Sequence, residues 1–375
     1  MKHLKYITAL LALVMLVNIT AFSAELELNS ASACLMEAST GKILYEKNAD
    51  EKLEPASVTK IMSLILVFEA IDEGKFSLET QVSASEHACS MGGSQIWLEP
   101  GETMTVHEML KAVIVASAND CTVALGELVA GSEEGFVGMM NERAGELSMT
   151  NTHFVNCTGL PAPDHYTTAR DIAVMTRELY KHETVFDYTK IWMDTLRGGE
   201  FGITNTNKLV RFYNGATGMK TGYTSSALYC MSATAKRDGM SLIAAVMKAE
   251  SSDKRFADAR KLLDFGFSNY CIYEPSDVAP QEIHVNSGKT KSVVAEAMQS
   301  EILIEKGREK RIEKSIEIED ELDAPVKKGQ TVGRIVYSID GKTVAEFPFV
   351  VRENVEKSSL FDIFKRLLLS SITVR

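Results

Sequence analysis

Residues 54–62 read E-P-A-S-V-T-K-I-M, with Ser57 and Lys60 three apart at the mouth of the apolar run S-L-I-L-V-F-E-A-I. A serine there is either a helix cap with a solvated lysine nearby, or a nucleophile with the lysine as its base. Spacing alone does not decide, because Ser39/Lys42 and Ser251/Lys254 repeat it in the same chain. Two further polar triplets break the tie. Ser117-Ala118-Asn119 closes one apolar run and opens another, and Lys220-Thr221-Gly222 immediately precedes a pair of strand-like segments. In this order, S-x-x-K, S-x-N and K-T-G form a signature whose chemistry is acyl transfer at an active serine.

Those residues need elements to hold them. The runs C-L-M-E-A and K-I-L-Y-E on either side of Thr40-Gly41 read as a hairpin, and apolar residues recur at helical spacing over 57–73, 105–116, 119–130, 133–147 and 168–181. Residues 226–235 and 241–247 read as antiparallel strands joined by K-R-D-G-M, followed by helical spacing over 254–267. The pattern predicts an α+β catalytic domain over 25–275, in three layers, with the first hairpin and the late strands completing one sheet. On a helix, positions 57 and 60 share a face, so the Lys60 amine reaches the Ser57 oxygen. Beyond Pro275 the alternating, charge-rich segments predict a small all-β domain over 276–352. Residues 353–375 follow, and 357–372 place Leu360, Phe361, Ile363, Phe364, Leu367 and Leu368 on one helical face. Such an amphipathic helix suits a membrane surface.

The triplets sit in P-A-S-V-T-K-I-M, V-A-S-A-N-D and T-G-M-K-T-G-Y-T, and three further stretches accompany them: L-M-E-A-S-T-G-K-I-L-Y-E-K-N-A-D, G-G-S-Q-I-W-L-E-P-G-E and G-L-P-A-P-D-H-Y-T-T-A-R-D-I-A. Through them the chain resembles the low-molecular-mass penicillin-binding proteins, specifically the serine-type D-alanyl-D-alanine carboxypeptidases. The resemblance implies a serine β-lactamase/penicillin-binding transpeptidase-like catalytic domain followed by the β module and the tail helix. It also implies a substrate, the peptidoglycan stem pentapeptide ending in D-Ala-D-Ala, and β-lactam antibiotics as inhibitors. By the same resemblance Ser57 is the nucleophile, Lys60 its base, and Ser117 relays a proton to the leaving amine. Asn119 orients Lys60 and the substrate amide, while Lys220, Thr221 and Arg255 meet the terminal carboxylate. For Lys60 to act as a base it must be neutral, which burial beside the second cation Lys220 favours. Backbone N–H groups of Ser57 and Tyr223 are then expected to form the oxyanion hole, with Gly222 beside them. Position 223 is Tyr where many relatives carry His or Thr, so the change is expected in substrate handling rather than in activity. Cys121 is expected to be a packed thiol, and His165 to make a structural hydrogen bond.

A serine β-lactamase shares the triplets, but the only E-x-x-L-N segment, at 25–29, lies outside the interval between the second and third motifs where such an enzyme carries it. An endopeptidase or transpeptidase uses the same residues with a different acceptor, and a non-catalytic penicillin sensor is disfavoured by the intact triplets. A net charge of −11 with no Lys/Arg cluster argues against nucleic acid as a partner. Export is expected from residues 1–24, a basic start, a short apolar core and the small residues A-F-S-A, which puts the catalytic part at the extracytoplasmic face of the cell membrane. The six cysteines are scattered without a C-x-x-C pair, and His107-Glu108 is not continued by a histidine at 111, so neither a zinc site nor any cofactor is expected.

Overall fold

The structure, a computed structural model, describes residues 26–362 and 364. The expected signal segment 1–24 and most of the tail helix lie outside the described residues.

An antiparallel sheet organises the first unit. Strands β1 (Ser32–Glu37) and β2 (Ile43–Lys47) form the expected hairpin; β3 (Ala216–Gly218), β4 (Thr221–Thr224), β5 (Leu228–Arg237) and β6 (Met240–Ala249) come from the far end of the unit. The spatial order is β2-β1-β6-β5, with β3 and β4 both pairing to β5. N- and C-terminal strands thus meet along β1 and β6, in antiparallel register from Ser32 opposite Met247 to Glu37 opposite Leu242.

Because side chains alternate across a strand, β6 serves two cores at once. Leu242, Ala244 and Val246 face helix α4 (Ser252–Asn269) and its Phe256, Leu262, Leu263 and Phe267. Ile243, Ala245 and Met247 face a helical layer that includes α1 (Lys60–Asp72), α2 (Asn119–Ala130) and α3 (Ala169–Leu179). Helix, sheet and helices make the expected three layers. Helix α1 is the centre of the last layer: ten of its residues, from Lys60 to Ala70, are buried, which explains a sequence apolar all round.

The second unit is a six-stranded sheet ordered Ile312–Ile318, Thr331–Ile339, Lys342–Val351, Ser292–Ala297, Gln281–Asn286 and Glu321–Asp323. It encloses its own core around Ile283, Val293, Ile335, Tyr337 and Phe349. A two-stranded pairing of Tyr270–Tyr273 with Ile302–Glu305 joins the units. Leu303 packs into the core under α4, while its neighbours Ile302 and Ile304 pack into the second core. At the other end Val355 is buried and bridges to Val326, and Lys357 bridges to Gly288, so the chain is tied to this sheet a few residues past Arg352. A helical turn opens at Leu360, with Ser359 accepting from the Asp362 amide. Leu360, Phe361 and Phe364 are 87%, 74% and 60% exposed. Among the described residues no helix is long and apolar enough to cross a membrane.

Candidate active site

Ser57 stands in a 3₁₀ turn, Ala56–Thr59, and Lys60 is the first residue of α1. The sequence predicted one continuous α-helix from 57. The tighter turn matters, because residues i and i+3 eclipse in 3₁₀ geometry and the two side chains are brought face to face. Lys60 Nζ lies 3.1 Å from Ser57 Oγ. The preceding residue, Ala56, has φ +48°, a left-handed conformation unusual for a residue with a Cβ and of the kind that clusters at functional sites.

Lys60 is fully buried and has two more partners. It donates to Asn119 Oδ1 at 2.6 Å and to the Thr158 carbonyl at 2.7 Å. Asn119 opens α2, and the helix before it ends in a π-turn, Ala112–Ala116, after which Ser117 adopts φ 66°, ψ 31°. That reversal puts both polar residues of the triplet at the junction. Ser117 Oγ accepts from Lys220 Nζ at 2.9 Å; Asn119 Nδ2 donates to the Gly92 carbonyl at 2.7 Å.

Lys220, also buried, precedes β4 and donates to the Thr221 carbonyl as well, while Thr221 Oγ1 donates to Thr206 Oγ1 at 2.7 Å. The close approach of β4 to Ser57 requires Gly222: a Cβ there would lie 2.8 Å from the Pro55 carbonyl oxygen and 2.9 Å from the Ser57 amide nitrogen. The Lys220 carbonyl accepts from the Ser232 amide across the ladder at 2.8 Å. Antiparallel alternation then turns the amides of Thr221 and Tyr223 away from β5. The Tyr223 ring is exposed and packs on Tyr229, with centroids 4.5 Å apart.

Burial lowers Lys60 from the usual lysine range to about 7, against the opposing pull of Cys157 and Asp120. Lys220 is pushed well below the ordinary value by burial, then by the charges of Lys60 and Arg255. Repulsion between two amines is mutual, so the proton that leaves Lys60 makes it easier for Lys220 to keep its own. The expectation that Lys220 depresses Lys60 is thus refined: at Lys60 burial is the leading cause.

Arg255 extends from α4 behind β4, donating to the carbonyls of Gly222 at 3.0 Å and Cys230 at 3.2 Å. It is buried, which lowers it to about 10, and its Nε has no partner among the described residues. Its neighbour Lys254 is exposed and paired with Glu250, so it points elsewhere. Ser251 caps α4, and Ser39 bonds the buried Glu37; neither has a lysine amine on its hydroxyl. Cys121 is a free buried thiol held well above the usual value by burial, as expected of a packing residue; all six cysteines are free. Asn29, the end of the E-x-x-L-N segment, donates to Asp258 on α4.

Three contributors are absent from the triplets. Asp120, buried beside Asn119, accepts from the amides of Ile96 and Leu98 and so holds the loop that meets Asn119. His165 accepts the Val155 amide at Nδ1, which leaves the proton on Nε2 to donate to Thr59 Oγ1 at 2.9 Å. Burial lowers this imidazole to about 4, and it is the structural bond expected of it. The Thr158 carbonyl carries no side-chain signal at all.

A buried lysine facing a serine at the start of a central helix, with a strand edge laid across both, defines the active-serine acyl-transfer class of three-layer proteins. The model of the D-alanyl-D-alanine carboxypeptidase family matches residues 18–251, and that of the penicillin-binding protein 5 C-terminal domain matches 267–357. The chain is 44% identical over 356 residues to D-alanyl-D-alanine carboxypeptidase DacF of Bacillus subtilis, covering 92% of this chain and 91% of that one. It is 35% identical over 360 residues to DacC of Escherichia coli, covering 91% and 89%. Penicillin-binding protein 5 of Haemophilus influenzae superposes with a TM-score of 0.81 at 30% identity, over 88% of this chain and 98% of that one. Penicillin-binding protein D2 of Listeria monocytogenes, solved with ampicillin bound, gives 0.59 at 31% identity over 64% of this chain and 99% of that one. The chain belongs to the D-alanyl-D-alanine carboxypeptidase family of serine peptidases.

Proposed function

We propose that this enzyme removes the terminal D-alanine from peptidoglycan stem pentapeptides through an acyl-enzyme on Ser57. Neutral Lys60 takes the Ser57 proton as Oγ attacks the carbonyl between the two D-alanines. The amides of Ser57 and Tyr223 receive the oxyanion. Ser117, bonded to Lys220, passes a proton to the departing amine, and the carbon–nitrogen bond breaks to release D-alanine. Lys220, Thr221 and Arg255 attract the terminal carboxylate, and Asn119 holds Lys60 and the substrate amide. Water then attacks the ester, with Lys60 again as base. A β-lactam follows the first half of this course, its ring amide opening onto Ser57.

What supports the reading is the connected set Ser57–Lys60–Asn119 and Ser117–Lys220, each link between 2.6 and 3.1 Å. The test is release of D-alanine from a pentapeptide ending in D-Ala-D-Ala. Stoichiometric release of one D-alanine per peptide is expected; penicillin hydrolysis without D-alanine release would establish a β-lactamase instead.

The same proposal covers location. Residues 1–24 direct export, and the exposed Leu360, Phe361 and Phe364 begin a face that lies on the membrane. The catalytic unit, upstream of Tyr270, works outside the cytoplasm.

A further inference from the structure

Lys60 has three partners, and they are not equivalent. Asn119 Oδ1 and the Thr158 carbonyl oxygen can only accept, whereas the Ser57 hydroxyl can also donate. A neutral amine has two N–H bonds and one lone pair. When both N–H bonds are used by the two obligate acceptors, the lone pair is left facing Ser57 O–H, which is the orientation a base requires. Remove either acceptor and the amine rotates, so its N–H competes for the serine oxygen.

The Thr158 carbonyl therefore has a job, and the loop around it is built to aim that oxygen. Asn156 Oδ1 accepts from the amides of Thr158 at 3.2 Å and Gly159 at 2.7 Å and from Thr158 Oγ1 at 3.1 Å, while its Nδ2 donates to the Leu160 carbonyl at 2.9 Å. This is an Asx-type turn wrapped around the Thr158–Gly159 peptide. Ser63 of α1 donates to the Cys157 carbonyl at 2.7 Å, one residue before. Gly159, at φ +83°, presses on the catalytic turn so closely that a Cβ there would lie 1.9 Å from the Ala56 carbonyl oxygen. All the polar capacity of Asn156 described here is spent inside the loop.

We propose that Asn156 is a positioning residue of the reaction: by fixing the Thr158 carbonyl it directs the lone pair of neutral Lys60 at Ser57. The inference rests on the proposed role of Lys60 as base. The charged and titratable groups facing Lys60 are Asp120 on α2, Cys157 in the same loop and Lys220 ahead of β4. None of them is altered by a change at 156.

The experiment measures the acylation rate of the full chain by a fluorescent penicillin from pH 5 to 10. Asn156→Ala is expected to lower the alkaline plateau at least tenfold and to move the rising limb to lower pH, since the ammonium form loses an acceptor. Asn156→Asp keeps the oxygen that takes the two amides, so it recovers most of the plateau, while its added charge moves the limb to higher pH. Asn156→Thr, with a weaker hydroxyl turn, falls between Asp and Ala, and it carries the comparison if the alanine variant fails to fold. A loss by the same factor at every pH, or an Asp variant no better than Ala, makes Asn156 merely structural and overturns the proposal, as does an unchanged plateau. Failure of the proposed function is separately visible, because wild-type protein would then be acylated yet release no D-alanine from the pentapeptide.

Discussion

Ser57, Ser39 and Ser251 share a lysine three residues on, and only the first has that lysine's amine against its hydroxyl. Ser39→Ala and Ser251→Ala are expected to label with fluorescent penicillin at the wild-type rate, whereas a substantial loss in either would implicate a second serine. The state of Lys60 makes a pH prediction. With its ammonium form destabilised to about 7, the base is mostly protonated below that pH and mostly neutral above it. Acylation should rise about tenfold per pH unit below 7 and level off above it. A limb centred near 10 would mean that burial does not act on this amine. At this scale the triplets made Ser57, Lys60, Ser117, Asn119, Lys220 and Thr221 legible, because each carries a side chain whose type suits the proposed chemistry. The Thr158 carbonyl and the Asp120 clamp on residues 96 and 98 involve the backbone, and residue type does not announce them; the Tyr223 amide is expected only through the family resemblance.

The elements were legible where one period ruled them. Helix α1, the β5–β6 hairpin and α4 lie close to where apolar spacing puts them. What spacing did not reveal are the departures from regular helix: the 3₁₀ turn at Ser57 and the π-turn before Ser117. Both satisfy apolar periodicity nearly as well as an α-helix does, and both are fixed by contacts distant in sequence. The approach of β4 to the catalytic turn is a third such feature, and it can be tested through Gly222. Gly222→Ala should displace the strand from Pro55 and Ser57 and weaken the oxyanion site, lowering acylation about 10²–10³-fold, as loss of one oxyanion donor does. Folding of the sheet should persist, checked by circular dichroism. Wild-type acylation in that variant would show that β4 does not set the position of the Tyr223 amide.

For the whole molecule, composition announced two units, but where the chain leaves the second one depends on packing. Val355 is buried and bridged to Val326, three residues beyond the last residue of the expected β domain, where charge alternation had already faded. A chain ending after Ser358 should therefore stay folded, release D-alanine at the full rate, and no longer sediment with membranes. A chain ending at Arg352 should be less stable by roughly 1.5–3 kcal/mol, the scale of burying one valine, read from its thermal midpoint. If the Ser358 truncation still sediments with membranes, the exposed Phe361 and Phe364 are not the anchor.

The central claim is that the Ser57 oxygen, activated by neutral Lys60, carries the acyl group. It is tested most directly by trapping the adduct with benzylpenicillin, digesting the protein and locating the added mass by tandem mass spectrometry. A penicilloyl group is expected on Ser57 alone, absent in Ser57→Ala and strongly reduced in Lys60→Ala. An adduct on Ser117 or any other residue, or full labelling of the Ser57→Ala protein, would contradict it.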